Sequence, residues 1–513
     1  MSFTGQTRIC GIRGSINLKD FPKGDLIKKK GNTSYYKVPD GIRVLTIWNN
    51  KKKWVKPEMF SIHTNLNMLN VFLSSGYNLQ CSDDHSLVGM DNNLNYYRTK
   101  AKLGLCVPRV TQRFPISLDL DIINEIYSEG IKFKLDKDLG YVFGIIIGDG
   151  WVTEYKPKHN SIYLATTYPK IKNKFIKVLK SYGHNGKVYS IDNPHLFENK
   201  ESLSIKHTVT FKPLANILHG SIGYGSLNKK LPLWWIRTSL EFRWGLFSGL
   251  LDTDGSISIS NKQVRCSYST SSSNLAFDIM SLSASLDLKC SLTTHRRKHK
   301  ENFEYVITFT RDSLKKIKDH VCLYNDDKRK KLNKYKESKD LSYTTTPNID
   351  IDKFLKIRPL LKTHGNVMVT DHIRHNLLKS KNGELFWLKK DVYNILYESN
   401  KEVMKNDPYW KELYNLTNSK DIEWVCIKKI NRLDSVTEAY DLTVPPYNTF
   451  VLDSSNGVVV YDTVSFTIVY TEESVKEIDQ FLKTNKAYLT TDNKIMSSSS
   501  NGVSEQVTAY MTE

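Results

Sequence analysis

The chain has 513 residues, 40% hydrophobic and 11% aromatic, and a formal net charge of +20. It is long enough for roughly two to four domains with real cores, and too apolar for a disordered chain. No apolar run approaches the roughly 20 residues that span a bilayer. The opening MSFTGQTRICGIRG lacks the apolar stretch of a secretory signal. The seven cysteines form no CxxC pair, which argues against zinc and a disulfide framework. We therefore expect an intracellular monomer in a reducing compartment, with no membrane contact. Basic runs interleaved with aromatics, Lys51–Lys56, His295–Lys300 and Lys328–Lys336, suit a polyanionic partner, because phosphate contacts release counterions.

Residues 1–14 carry no visible chemistry. A β-rich region follows, with Ile42–Trp48 and then Leu69–Met90. The second piece reads as a strand, a Ser-Ser-Gly turn at Gly76, and a strand ending at Ser82-Asp83-Asp84-His85. From about residue 131 the pattern changes. LGYVFGIIIGDGWV (Leu139–Val152) is an apolar run ending in Gly-Asp-Gly, and RWGLFSGLLDTDGSIS (Arg243–Ser258) repeats its plan. Gly144 and Gly148 are four apart on one helix face, as are Gly245 and Gly249, so two helix backbones can approach closely. Each helix is expected to stop at a left-handed glycine, Gly150 or Gly255. Asp149 and Asp254 stand just before them, and two adjacent carboxylates require a divalent cation between them.

Each run is followed by strand-like segments, Ser161–Tyr168 and Val264–Ser273, and by helical ones, Ile171–Gly183 and Asn274–Leu288. Residues 346–425 read as a small helical subdomain, with apolar 3- and 4-residue spacing over Leu385–Met404. Ile422–Leu433 returns to strand. Val436–Thr463 then reads as Ala439–Val444 and a hairpin of Thr449–Leu452 and Val458–Tyr461 around the turn residues Ser454 to Gly457. After Thr463 the composition changes again.

Two resemblances rest on these residues. The paired apolar runs ending in Asp-Gly are similar to the two LAGLIDADG motifs of homing endonucleases. The Ala-Tyr-Asp-Leu strand and the Asn-Gly-Val-Val-Val before a hydroxyl residue resemble the C-terminal splicing blocks of inteins, with SxxH at Ser82–His85 in place of their Thr-x-x-His. Together they imply a mostly β, horseshoe-like Hint splicing domain, split in sequence. An α+β endonuclease of two pseudo-symmetric αββαββα halves would be inserted into it. The implied plan is a host flank at 1–14, Hint parts at 15–130 and 426–462, the nuclease at 131–345, the helical subdomain at 346–425, and a second host flank at 463–513.

The resemblance also implies roles. Ser15 or Cys10 would be the first residue of the splicing domain. The spacing to Val38–Leu45, which resembles a family strand, favours Ser15. His85, placed by Ser82 and Asp84, would protonate the leaving amide nitrogen. Thr463 would take over the acyl group, with Asp441 helping to align that step. The family closes with His-Asn, but this chain has Tyr461-Asp462, and Asn448 stands where another family histidine is expected. In the nuclease, Asp149 and Asp254 would hold Mg²⁺ for hydrolysis of double-stranded DNA read by the strand faces. Lys229 or Lys230 would stabilise the transition state, with Lys328–Lys331 as the matching basic residues of the other half. A free-standing nuclease or RNA maturase, and a degenerate DNA-binding relative, remain open as rivals.

Overall fold

The computed structural model describes residues 2–462 except 6, 12–13, 49, 86, 112–121, 154–160, 198–199, 261–262, 297–302, 337–343 and 363–366. A short strand pair, Ala487–Leu489 with Ile495–Ser497, is also described. Thr463 and most of the flank expected after it lie outside these residues.

Residues from both ends of the chain build one 14-stranded antiparallel system. Its first strand is β1 (Arg8–Gly11). Its longest early strand is β2 (Met59–Leu73), and β3 (Cys106–Val110) closes the N-terminal part. The C-terminal part supplies β4 (Ile422–Thr443), β5 (Thr449–Leu452) and β6 (Val458–Tyr461). The two stretches expected as separate strands, Ile422–Leu433 and Ala439–Val444, run together as β4. It follows β2 almost throughout, with register shifts at Ile427/Lys429 and Leu433/Val436 that absorb the change of direction. β3 joins β4 to β6, pairing Cys106 with Cys426 and Arg109 with Val458. The sheet is therefore completed only when both parts of the chain are present. The Ser74–Gly76 turn uses Gly76 at φ +83, a left-handed position that favours glycine.

Phe3 and Arg8–Gly11, expected to lie in a flank, pair within this sheet. Phe3 bridges both Tyr440 and Cys81, and β1 pairs with β5 through Ile9 and Leu452. Phe3, Ile9 and Cys10 are completely buried. The segment expected as a flank thus contributes to the same core as the strands that follow Ser15.

Between β3 and β4 lies an α+β unit of two matching halves. α1 (Lys137–Asp149) and α2 (Leu240–Asp252) pack side by side at its centre. Asp136 and Ser239 cap them, accepting from the Leu139 and Phe242 amides. After α1 come strands Gly150–Val152, Ser161–Ala165, Val188–Phe197 and Lys200–Thr210. After α2 come Gly255–Ser260, Gln263–Thr270, Cys290–Arg296 and Phe303–Phe309. Each four-stranded sheet has the same order, first-second-fourth-third. Helices Pro169–Ser181 and Lys212–Ser221 complete one half; α3 (Ser273–Ser285) and Arg311–His320 complete the other. The mostly β split domain and the pseudo-symmetric αββαββα insert are thus both present.

Described residues between Ile349 and Leu413 form a second core, which includes Phe354, Leu388, Tyr393 and Trp410, while Leu416, Ile422, Trp424 and Val425 join the main one. Leu385–Leu388 lies outside the helices, and the expected long helix starts only at Lys390. Among the described residues, no helix is long and apolar enough to cross a membrane.

Candidate functional site

The first site stands where α1 and α2 end. Their approach is set by glycine. A Cβ on Gly249 would lie 2.9 Å from the Gly144 Cα, and one on Gly144 would lie 2.8 Å from the Gly249 Cα. Gly150 and Gly255 do not take the expected left-handed geometry. Gly150 is extended at φ −116, and no positive φ occurs at Gly255. They are glycine because a Cβ would strike the preceding helix turn, 2.7 Å from the Ile146 Cα and 2.6 Å from the Leu251 Cα.

This packing brings Asp149 and Asp254 within electrostatic reach of one another. Burial, and then the Asp254 charge, push the Asp149 carboxyl up to about 6, against the pull of Lys229 and Lys328. Burial also raises Asp254, opposed by Lys229, a Tyr268 hydrogen bond of 3.3 Å, and Lys328. Burial depresses both lysines, and the aspartates work against that. The Lys229 ammonium donates to the Gly148 carbonyl at the end of α1. Lys328, on α4 (Asp326–Asn333), donates to the carbonyls of Leu251, Asp252 and Thr253 at 2.9, 2.9 and 2.7 Å. The two cations therefore cap the two helix ends in corresponding ways, which also favours the helix dipoles. Lys230 takes no such position; its backbone amide bonds Ile222.

Asp252 is a further acid, 2% exposed. It accepts from the Tyr141 hydroxyl at 2.8 Å and from the amides of Tyr324 and Asn325 at 2.6 and 3.1 Å. Asn325 in turn caps α4. Asp252 thus anchors the helix that carries Lys328, and Tyr141 ties it to α1.

The second site lies in the β domain. Ser2 is fully buried. Its amide donates to the Ser82 hydroxyl at 2.9 Å, and its carbonyl accepts from the Ser82 amide at 2.8 Å. His85 packs edge-on against Phe3, ring centroids 4.2 Å apart. It is 1% exposed, and neither ring nitrogen has a partner among the described residues. Leaving buried polar atoms unpaired costs about 1–3 kcal/mol, a cost expected at a reacting site. Burial lowers its pKa to about 3, so the ring is neutral. Asp84 is exposed and takes a hydrogen bond from the Ser82 side chain.

Asp462 closes the described chain here and is completely buried. Its Oδ2 accepts from the Val444 amide at 2.6 Å, and its own amide donates to the Asn448 carbonyl at 2.8 Å. Arg98 lies 3.6 Å from Oδ1 and also covers the Tyr461 ring. Burial still prevails and pushes the carboxyl up to about 6. Arg98 also lowers the His85 pKa, so both residues feel the same guanidinium.

A family model described as a LAGLIDADG-like domain matches residues 241–322, which hold α2, Asp252 and Asp254. Over that stretch the chain is similar to the LAGLIDADG family. It is 24% identical over 355 residues to the DNA-directed RNA polymerase subunit Rpo1C of Methanocaldococcus jannaschii, covering 65% of this chain and 36% of that protein. It therefore spans little more than a third of that relative. Similar solved structures include the homing endonuclease I-WcaI bound to its DNA recognition sequence, at 14% identity and TM-score 0.29, over 36% of this chain and 81% of that one. I-DmoI in complex with DNA and Mn follows at 16% and 0.24, over 37% and 98%. The transcription factor IIB Mvu mini-intein follows at 13% and 0.20, over 22% and 71%.

The expected site residues fall into two groups. Asp149, Asp254 and Lys229 meet at the helix ends, joined by Lys328. Ser82 and His85 gather around the chain start. Ser15 does not join them: it lies opposite Cys10 in the β1 hairpin, and neither residue is brought to His85. The serine bonded to Ser82 is Ser2. Asp441 is fully buried opposite Ser61 and bonds the Leu442 amide. Asp252, Arg98 and Tyr268 escaped the sequence reading, because each acts through a partner distant in the chain.

Proposed function

We propose that this chain excises its own central segment by acyl transfer, and that the insert is a divalent-metal-dependent endonuclease acting on double-stranded DNA. The observation that carries the first part is convergence: Ser2 bonds Ser82, its neighbour Phe3 packs on His85, and Asp462 lies 3.6 Å from Arg98, whose charge also acts on His85. Ser2 Oγ attacks the Met1 carbonyl, converting the amide into an ester. His85, buried and neutral, first holds and then gives a proton to the leaving nitrogen. Ser82 fixes the Ser2 backbone through both of its hydrogen bonds. Thr463 accepts the acyl group from Ser2. The Asp462 carboxylate, held by the Val444 amide and Arg98, attacks its own carbonyl to release the C-terminal segment. That route is less favourable than closure by an amide.

In the insert, Asp149 and Asp254 suit a hard cation: oxygen donors at one point, their charges in mutual conflict until one is neutralised. A bound Mg²⁺ would activate water and stabilise the phosphate oxygens. Lys229 and Lys328 add positive charge to the same centre and hold the helix ends that present the acids. Tyr189 and Ile191 on one sheet, with Ile259 and Phe303 on the other, are exposed and fit a nucleic-acid surface.

Mass spectrometry of the chain, expressed with a tag before Met1, tests the first activity. A ligated tag–flank product that disappears in Ser2→Ala supports it. Only intact mass, unaffected by Ser2→Ala and Asp462→Ala, refutes it. Selection of cut sites from a randomised duplex library with Mg²⁺ tests the second. Salt-dependent duplex binding without any cut product would leave a DNA-binding protein only.

A further inference from the structure

The segment that carries Lys229 is held from outside the helix pair. Helix α3 grips it at the lysine's own carbonyl and two residues beyond. Its cap residue, Ser272, donates a hydroxyl hydrogen bond to the Lys229 carbonyl at 2.7 Å. Six residues on, Asp278 accepts from the Leu231 amide through Oδ2 at 2.9 Å. The other carboxylate oxygen faces the splicing domain. Asp278 Oδ1 accepts from the Arg8 guanidinium at 2.7 Å, with the two side chains 16% and 7% exposed.

Arg8 is itself fully committed. It donates to Asn274 at 3.1 Å and to Asn17 at 3.0 Å, and lies over the Phe277 ring. Its backbone is pinned to the β5–β6 turn: the Arg8 carbonyl accepts from the Asp453 amide at 2.8 Å, and Asp453 accepts from Ser281 on α3. A carboxylate with one oxygen on a backbone amide and the other on a buried guanidinium has a single orientation, because rotating it breaks both bonds at once. The chain of contacts thus runs from β1 through Asp278 to the Lys229 loop.

We propose that Asp278 is a positioning residue for Lys229, and that the splicing domain supplies Arg8 to lock it. The nuclease centre then depends on a side chain outside the nuclease unit. The placement of Lys229 follows from the geometry alone; the catalytic consequence rests on the endonuclease reading above.

The test uses the full chain without DNA or added metal. Trace acetylation with acetic anhydride is read by mass spectrometry at Lys229, relative to the exposed Lys177. Lys229 labelling should rise about tenfold in Arg8→Ala and in Asp278→Asn, the size expected for a lost charge-assisted bond. Arg8→Lys, which keeps a cation, should stay within about twofold of the parent. Unchanged Lys229 labelling in Arg8→Ala and Asp278→Asn proteins that melt like the parent overturns the proposal. On a duplex selected as above, Arg8→Ala should cut about 10- to 100-fold more slowly under single-turnover conditions, with duplex affinity unchanged. Equal losses in rate and affinity would mark a loosened fold and refute positioning. If the parent cuts no duplex, the endonuclease reading fails and the labelling result alone decides the role of Asp278.

Discussion

Replacing Gly249 by alanine should separate the two central helices and disable the nuclease without touching the splice site. An added Cβ would meet the Tyr141 carbonyl, the Ile145 nitrogen at 2.7 Å and the Gly144 Cα at 2.9 Å. Comfortable carbon contacts lie at about 3.5–4.0 Å, so the helices must part by about 1 Å. The opposing atoms are backbone, tied into their own helical hydrogen bonds, and have no rotamer to escape into. Overpacking of this kind costs about 1–3 kcal/mol. At about 2–4 °C per kcal/mol for a unit of this size, the insert should melt about 2–12 °C lower. The same displacement moves Asp149 relative to Asp254, and a 1 Å error can cost about 100-fold in rate. Thermal unfolding followed by circular dichroism gives the first number, and single-turnover cutting of a selected duplex gives the second. Gly220→Ala is the control: its Cβ would meet nothing within 4 Å, so it should be neutral or stabilising by up to about 1 kcal/mol. If Gly249→Ala melts within 1 °C of that control (roughly 0.3–0.5 kcal/mol) and cuts at the parent rate, glycine packing does not set the centre.

Asp149→Asn should abolish cutting yet stabilise the metal-free protein at neutral pH. Its folded pKa, pushed up to about 6, lies above the ordinary 3.8, so ionising it costs stability as pH rises from about 4 to about 6. The gain on substitution is on the order of 1–3 kcal/mol, visible as a flattened dependence of melting temperature on pH. Asp462→Asn restores an amide able to cyclise and should speed release of the C-terminal segment at least about tenfold by mass-spectrometric time course. In the parent, that release should rise with pH through about 6, where Asp462 ionises. Ser82→Ala removes the acceptor of the Ser2 amide, and the N-terminal step should slow by about tenfold, read as accumulation of unprocessed chain.

The nuclease centre was largely legible in advance. Its helices announce themselves by glycine spacing and by the Asp-Gly endings, and both features are local. The lysines were only half legible, since Lys229 and Lys230 are indistinguishable in a polar loop until Gly148 selects one of them. Lys328 stood in a basic run like any solvated face, and only its three carbonyl partners distinguish it. Which serine stands beside Ser82 was illegible for a similar reason. Ser2 and Ser15 both precede β-rich sequence, and only the pairing of Phe3 with Tyr440 and Cys81 brings Ser2 there.

Sequence by itself determined the periodic and composition-bound features: two copies of a helix ending in an acid, a split β region, a basic chain suited to a polyanion, and an unconventional Tyr461-Asp462 ending. These follow from short-range rules of spacing and residue type. Tertiary structure decided which residues share a site. Ser2 reaches Ser82 and Asp462 reaches Arg98 because β2, β3 and β4 close the sheet across the insert, and Arg8 reaches Asp278 because α3 packs on β1 and the β5–β6 turn. Such meetings depend on contacts between distant segments, and the chain carries no local mark of them until it is folded.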